Sequence, residues 1–105
     1  MKVTKESISV IFGVPLSAIK QIGSKQLFVV NVSNGEIGYR HILVSYRTII
    51  GYNDSEFWYI TTRKYSVTTS RQITAFVRDR WDRIKRVDND TLVSMLPASL
   101  QYYAK

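Results

Sequence analysis

The stretch that decides the fold runs from Asn34 to Phe76 and reads NGEIGYRHILVSYRTIIGYNDSEFWYITTRKYSVTTSRQITAF. It contains a turn, an alternating strand, a polar turn, an aromatic strand and the start of a basic helix. Ser33-Asn34-Gly35 is a hairpin signal, because Asn and Gly both tolerate a positive φ. The order of these signals predicts antiparallel strands followed by a helix.

Three runs of residues predict strands. Gln26–Val32 and Phe57–Tyr65 are rich in β-branched and aromatic residues. Between them, His41–Tyr52 alternates, which predicts one long strand with Arg47 on its outer face. The predicted core face of that strand holds Ile42, Val44, Tyr46, Thr48, Ile50 and Tyr52.

A long amphipathic helix is predicted for residues 69–86. Thr69 and Gln72 fit the S/T-x-x-E/Q capping box at its start. An apolar stripe at helical spacing predicts a face that packs on the sheet. The stripe consists of Ile73, Phe76, Val77, Trp81 and Ile84. Asp88-Asn89-Asp90 can then cap a last short helix, Thr91–Leu96.

The N-terminal segment predicts a helix and leaves the next element open. Thr4 can cap a helix that runs through Phe12 and ends at Gly13. After Pro15, apolar spacing fits a short second helix, whereas Ala18–Ile22 also fits a strand. The sequence does not decide between the helix and the strand.

The predicted architecture is a single α+β domain spanning residues 1–105. Residues 1–23 form an N-terminal helical segment and residues 24–66 an antiparallel sheet of three to five strands. Residues 69–86 form the long amphipathic C-terminal helix packed on that sheet. Residues 87–105 contribute a short helix and a tail.

The composition favours a polyanionic partner. Fifteen Lys and Arg against eight Asp and Glu give a formal charge of +7, which suits nucleic acid, an acidic protein surface or a nucleoprotein complex. A DNA mimic is excluded, since it needs a dense negative surface. No apolar run approaches the roughly 18 residues of a membrane span. We expect a soluble cytoplasmic protein with no membrane contact.

Catalytic and cofactor motifs are absent from the sequence. The chain has no cysteine and one histidine, His41, so thiolate metal sites and disulfides are excluded. No P-loop, dinucleotide glycine pattern or metal-ligand cluster is found. These features predict a protein that is not an enzyme and that binds no cofactor or metal.

The candidate binding residues are mostly cations. Arg71, Arg78 and Lys85 lie seven apart and would form one row on the predicted helix, suited to a phosphate backbone. The alternative is an ordinary exposed helix face on which Asp79 and Asp82 form ion pairs with arginines four residues away. The full candidate set is Lys20, Gln21, Lys25, Arg40, Arg47, Arg63, Lys64, Arg71, Arg78, Arg80 and Lys85.

Aromatic residues lie near several of these cations in the sequence. Such mixing is typical of sheets that bind single-stranded nucleic acid, because bases stack and phosphates pair. The alternative places the aromatics in the core. The residues concerned are Tyr46, Trp58 and Tyr59 beside Arg47, Arg63 and Lys64.

The N-terminal residues Glu6–Ile22, ESISVIFGVPLSAIKQI, resemble the helix-turn-helix of small phage repressors. The matching features are a small residue, a glycine in the turn and apolar packing positions; they are Ser9, Phe12, Gly13, Val14 and Ile19. The resemblance implies that Pro15–Ile22 is the recognition helix. Its groove-facing residues would then be Leu16, Ser17, Lys20 and Gln21.

The Asn34–Phe76 stretch resembles a family of small proteins of unknown function found mainly in bacteriophages and related mobile elements. The shared pattern is NG…SYxTxI…YSxTTSxxIxxF, where similar members often carry histidine at the position of Gln72. The resemblance implies phage origin, location in the host cytoplasm, a sheet-plus-helix domain and the strand interpretation of Ala18–Ile22. It implies no activity.

Three functions follow as hypotheses. The first is a non-enzymatic phage-type protein that binds nucleic acid or a nucleoprotein complex, in its concrete form a DNA-binding regulator. The second is an inhibitor of a host defence system, similar to an anti-CRISPR protein, that acts by protein–protein binding. The third is a structural or assembly protein that forms a homodimer or larger oligomer through an open sheet edge.

Overall fold

The computed structural model describes residues 3–23, 25–32 and 40–105. These residues form a six-stranded mixed sheet in the order β1-β2-β3-β4-β5-β6. The strands are β1 (Ile19–Gln21), β2 (Leu27–Asn31), β3 (His41–Ser45), β4 (Thr48–Asn53), β5 (Trp58–Thr61) and β6 (Ile84–Val87). The helices are α1 (Lys5–Phe12), α2 (Val67–Asp79), α3 (Asn89–Met95) and α4 (Ala98–Gln101), with 3₁₀ turns at Leu16–Ala18, Trp81–Arg83 and Tyr102–Ala104.

The α+β class holds, but the predicted antiparallel sheet of three to five strands is wrong. Strands β1 to β5 form an antiparallel meander, and β6 lies parallel to β5 with Trp58 opposite Ile84. Helix α2 makes the crossover connection that a parallel pair needs. Ile84 falls at helical spacing from Phe76 and Val77, which is why residues 84–86 were predicted to be helix.

The N-terminal prediction is confirmed for α1. The Thr4 side chain accepts from the Ser7 amide, the Ser7 hydroxyl accepts from the Thr4 amide, and Gly13 ends the helix at φ +63°. Residues 19–21 form strand β1, paired with β2, so the strand interpretation is the right one. The second helix of a helix-turn-helix does not form, and Lys20 and Gln21 lie on a strand.

The predicted long strand His41–Tyr52 is wrong, because the chain turns at Tyr46 and Arg47 to form the β3–β4 hairpin. Ser45 pairs with Thr48, and a bulge at Ile50 shifts the register. Ile50 therefore faces away from Ile42 and Val44. The predicted Ser33-Asn34-Gly35 turn lies outside the described residues, although the strands on either side of it pair antiparallel.

Helix α2 begins earlier and ends earlier than the predicted 69–86. Its N-cap is Ser66, whose hydroxyl accepts from the Thr69 amide at 3.2 Å. The Thr69–Gln72 capping box is therefore wrong. At the other end, Arg80 leaves the helix with φ −136°.

Both faces of the sheet are covered. On one face, Ile73 and Phe76 of α2 pack on Leu43, Ile50 and Ile60. On the other, α1, α3 and α4 bury a larger core against β1 to β5. Its fully buried members include Ile8, Phe28, Val30, Ile42, Val44, Ile49 and Leu92. The outer side of α2 is therefore a surface that no other described element covers.

A candidate anion-binding surface along helix α2

The packing of α2 determines which of its side chains face outwards. Ile73 and Phe76 are buried against the sheet, and Phe76 meets the Trp58 ring edge-on with centroids 5.1 Å apart. Arg71 and Arg78, two turns apart, are both exposed. Their seven-residue spacing places them on one side of the helix, about 10.5 Å apart along its axis.

Lys64, Arg71 and Arg78 line one groove of about 530 Å³ together with Tyr65 and Val67. We call it the α2 groove. No Asp or Glu lines it, and these three cations form no ion pair within the described part of the chain. The groove therefore presents three uncompensated positive charges to solvent.

The Tyr65 side chain adds an unsatisfied polar group to the α2 groove. Its hydroxyl oxygen is buried and has no hydrogen-bond partner at ordinary geometry among the described residues. Burial raises the pKa of Tyr65, and the Arg63 guanidinium, 5.8 Å from the ring centroid, opposes that rise. Because this oxygen is buried, it is not exposed to a ligand in the groove, and the Arg63 side chain acts on it through its charge and through hydrogen bonding.

A second cavity, of about 440 Å³, opens beside the β3–β4 hairpin. We call it the hairpin pocket; it is lined by Lys25, Gln26, Tyr46, Thr68, Arg71 and Gln72. Arg71 lines both this pocket and the α2 groove, so the two are adjacent. The hairpin pocket likewise contains two cations and no acidic lining residue.

A chain of hydroxyls, of which Ser45 and Thr69 are buried, ends at the hairpin pocket. Ser66 Oγ donates to Thr69 Oγ1 at 3.3 Å, Thr69 Oγ1 lies 3.1 Å from Ser45 Oγ, and Ser45 Oγ donates to Gln72 Oε1 at 2.7 Å. Since Ser45 gives its single proton to Gln72, the Thr69 hydroxyl is the donor in the hydrogen bond to Ser45. The chain fixes the Gln72 amide with its oxygen inwards.

Backbone strain lies at the edge of the same pocket. Tyr46 has φ +56° at the first central position of the two-residue β3–β4 turn. Glycine is usual at that position, because a Cβ clashes there. The Tyr46 side chain is 37% exposed, so its position is set by the backbone more than by packing.

The other candidate cations lie apart from these two cavities. Arg40 donates to the Asp54 carbonyl at 3.3 Å. Arg80 stacks on Phe76, with its guanidinium carbon 3.9 Å from the ring centroid. Lys85 lies in β6 over the Phe57 ring, 4.5 Å from its centroid, so it is not in one row with Arg71 and Arg78.

The remaining predicted residues are scattered. Arg63 lines a cavity that also contains the carboxylates of Asp88 and Asp90. Arg47 lines another cavity, beside Tyr102 and Tyr103. Gln21 donates to the Lys25 carbonyl at 2.7 Å, and Lys20 is exposed on edge strand β1.

Three interpretations of the charged and aromatic residues are wrong. The helix-face ion pairs of Asp79 and Asp82 do not form in the described part of the chain, because α2 ends at Asp79. The aromatic sheet platform is also absent: Trp58 packs on α2 and Tyr59 on the opposite core. Trp81, predicted to be buried, is 78% exposed.

The match to known families covers most of these elements. A family model described as a family of unknown function, DUF8033, matches residues 17–93. The chain belongs to this family. The matched range contains β1 to β6, most of α3 and all the residues of the α2 groove and the hairpin pocket. Comparison with curated proteins and with solved structures returns no match.

The described residues contain neither a membrane-spanning helix nor a cluster of metal ligands. Among residues 3–23, 25–32 and 40–105, no helix is both long and apolar enough to cross a membrane. The same residues contain no group of three His, Asp or Glu side chains that could hold a metal ion.

Sequence reasoning missed the polar residues of the hairpin pocket. Gln26, Tyr46 and Thr68 carry no charge, and Gln72 was assigned to a helix cap. What joins them is the turn at Tyr46, which lacks the Asn or Gly that signals a hairpin. The hydrogen-bonding side chains of Ser66, Thr69 and Gln72 are the signal in the sequence that could have indicated a polar cluster.

Proposed function

We propose that this protein is a non-enzymatic binding protein that engages nucleic acid, free or within a nucleoprotein complex, through the α2 groove. The observation that supports this function best is the convergence of Lys64, Arg71 and Arg78 on one surface without any acidic neighbour. Such a set of cations binds phosphates and releases the counterions condensed on nucleic acid. A DNA-binding regulator in the cytoplasm, encoded by a phage, is the concrete form of the proposal.

The geometry fits backbone contact better than base recognition. Arg71 and Arg78 lie two turns apart on α2, and Lys64 lies in the connection before that helix. Contacts of this kind position a protein on nucleic acid but carry little sequence information. We therefore expect binding that depends weakly on sequence.

Fluorescence anisotropy with labelled duplex and single-stranded oligonucleotides at low salt tests the proposal. Replacing Lys64, Arg71 and Arg78 together by Gln should weaken binding at least about tenfold, because three phosphate contacts are lost. The control replaces Lys5, Arg83 and Lys105 by Gln, which removes the same charge from exposed positions outside the groove. Equal weakening by both triple variants would mean that net charge, and not the groove, binds nucleic acid.

A protein partner is the second candidate, and the exposure of Trp81 favours it. Trp81 is 78% exposed between Arg80 and Arg83, and Trp and Arg are the residue types that contribute most to protein interfaces. This is the surface that an inhibitor of a host defence complex would use. A partner recovered from nuclease-treated host lysate should be lost with Trp81→Ala and retained with the α2-groove triple variant.

The edge strands of the sheet do not favour assembly through strand pairing. β1 has three residues and carries exposed Lys20, and β6 carries exposed Lys85 and Arg86. Short edges with charged side chains disfavour pairing with a second chain. We therefore advance neither a structural role nor a homodimer through these edges.

A further inference from the structure

We infer that the hairpin pocket is a binding site for a phosphate monoester group, such as the terminal phosphate of an oligonucleotide or a free phosphate compound. The inference deepens the proposed function, since Arg71 joins the pocket to the α2 groove. The proposed function itself concerns oligonucleotides whether or not they carry a terminal phosphate.

The first argument is the orientation of Gln72. This side chain is 5% exposed and lines the pocket. Its Oε1 accepts from Ser45 Oγ at 2.7 Å, and its Nε2 has no acceptor within the described part of the chain. Nε2 is thus an amide donor without a protein acceptor in the described part of the chain, held by the Ser66–Thr69–Ser45 hydroxyl chain at the wall of a cavity. This donor can bind an acceptor that enters the cavity.

The second argument is charge. Lys25 and Arg71 line the pocket without an acidic lining residue. Two cations match a phosphate monoester, which carries about −1.5 to −2 at neutral pH, better than a diester, which carries a single charge. Arginine can also bind two phosphate oxygens at once.

The third argument is the start of α2. Thr68 lies in the first turn of this 13-residue helix and lines the pocket. Amide groups of a first turn have no carbonyl partner inside the helix, and the helix dipole favours an anion there. The Thr68 hydroxyl adds another donor. The pocket thus combines two cations, a fixed amide donor, a hydroxyl and a helix N-terminus.

A titration of the full chain with methyl phosphate, followed by ¹H–¹⁵N NMR, tests this site. Constant ionic strength is kept with chloride. We expect a saturable shift of the Gln72 side-chain amide signals, and at least about tenfold weaker binding of dimethyl phosphate, which lacks the second charge. No saturable shift, or equal affinity for the two esters, would overturn the inference.

Substitutions test whether methyl phosphate binds in the hairpin pocket. Arg71→Gln and Lys25→Gln, both at exposed positions, should each weaken methyl phosphate binding about tenfold, and Gln72→Glu should abolish it by placing a carboxylate in the pocket. Arg83→Gln is the control with the same loss of charge. If Arg83→Gln weakens binding as much as Arg71→Gln does, the anion is bound by the general positive field and the inference is wrong.

A second comparison distinguishes the source of the phosphate. An oligonucleotide with a 5′-phosphate that binds at least tenfold more tightly than its 5′-hydroxyl counterpart identifies nucleic-acid ends as the ligand. Equal oligonucleotide affinities together with tight methyl phosphate binding identify a free phosphate compound. Binding of 5′-hydroxyl oligonucleotides without any methyl phosphate binding would reject this site and leave the proposed function intact.

Discussion

Tyr46 is the residue at which local strain is most evident. A non-glycine residue with φ near +56° costs about 1–2 kcal/mol relative to a relaxed backbone. Glycine relieves the clash but adds about 0.5–1 kcal/mol of backbone entropy to the unfolded chain. Tyr46→Gly should therefore leave the free energy of unfolding unchanged or raise it slightly.

A β-branched residue at the same position should have the opposite effect. Tyr46→Val should lower the free energy of unfolding by at least about 1 kcal/mol, because branching at Cβ worsens the clash at positive φ. Urea denaturation of the two variants measures the difference. Equal stability of the Val and Gly variants would show that the turn adopts another conformation.

Asp54 makes the stability of the β4–β5 turn depend on pH. Its Oδ1 accepts from the amides of Phe57 at 2.9 Å and Glu56 at 3.0 Å, and its Oδ2 accepts from the Tyr59 hydroxyl at 3.2 Å. The Phe57 hydrogen bond is the main cause that lowers the pKa of Asp54 below its ordinary value of 3.8. A lowered carboxyl pKa stabilises the fold above the ordinary pKa, and that stability is lost as pH falls through the folded value.

We expect Asp54→Ala to melt at a lower temperature than the wild type at pH 7. The gap should stay constant down to about pH 5 and narrow below about pH 4, as the wild-type carboxylate becomes protonated. Thermal unfolding between pH 2.5 and pH 7 measures it. Glu56→Ala, which removes a neighbouring exposed carboxylate, is the matched control. A gap that widens on acidification would contradict this assignment.

At the scale of elements, Gly51 in β4 is required by close packing next to the bulge. A Cβ at this position would lie 2.6 Å from Ile60 Cδ1 and 3.2 Å from Leu43 Cβ. Overpacking of this kind typically costs about 1–3 kcal/mol. Gly51→Ala should therefore destabilise the protein by about that amount in urea denaturation.

A double-mutant cycle identifies the clash. Ile60→Val removes the methyl group nearest to the added Cβ and alone should cost about 0.5–1.5 kcal/mol. The double variant should be less destabilised than the sum of the single variants, because the added methyl group fills the space that was freed. Simple additivity would show that Ile60 does not limit the packing at Gly51.

The elements that sequence reasoning identified are those with local signals. Helix α1 has a Thr4 cap and a Gly13 end, and the start of α3 has the Asp88 cap, whose side chain accepts from the Thr91 amide at 2.8 Å. Helix α2 has no such end signal. No Gly or Pro lies between Asp79 and the end of β6, and the apolar spacing continues to Ile84. Its end depends on the pairing of β6 with β5, a tertiary interaction that no local pattern reveals.

The sequence did not predict the β3–β4 hairpin, for a related reason. The two-residue turn inverts the even–odd period, so that Ile49 faces the same side as Val44. The bulge at Ile50 then restores the period at Tyr52, opposite Ile42, and the run His41–Tyr52 therefore resembles a single strand. Tyr46 and Arg47 are poor turn residues by type. The turn is instead held by its surroundings: the Tyr46 amide donates to the Gln26 carbonyl at 2.8 Å, and Ser45 is tied to α2 through Thr69 and Gln72.

At the scale of the whole molecule, the net charge predicts a polyanionic partner but does not indicate which surface would bind that partner. Arg71 and Arg78 could be grouped from their spacing alone, since both lie within α2. Lys64 and Lys25 could not, because their positions depend on the extended connection before α2 and on the turn after β1. Lys85 is not in the predicted row with Arg71 and Arg78, because the helix ends at Asp79 and Lys85 lies in β6.

The central claim is that the α2 groove binds nucleic acid through its three cations. The most direct test is the salt dependence of oligonucleotide affinity, measured between 50 and 300 mM NaCl for the wild type and for the variant with Lys64, Arg71 and Arg78 replaced by Gln. Each phosphate contact contributes about −0.7 to the slope of log K against log salt for single strands and about −0.9 for duplexes. The triple substitution should therefore make the slope shallower by about 2–3. A slope identical to that of the wild type, or no binding of either oligonucleotide by the wild type at 50 mM, would contradict the account.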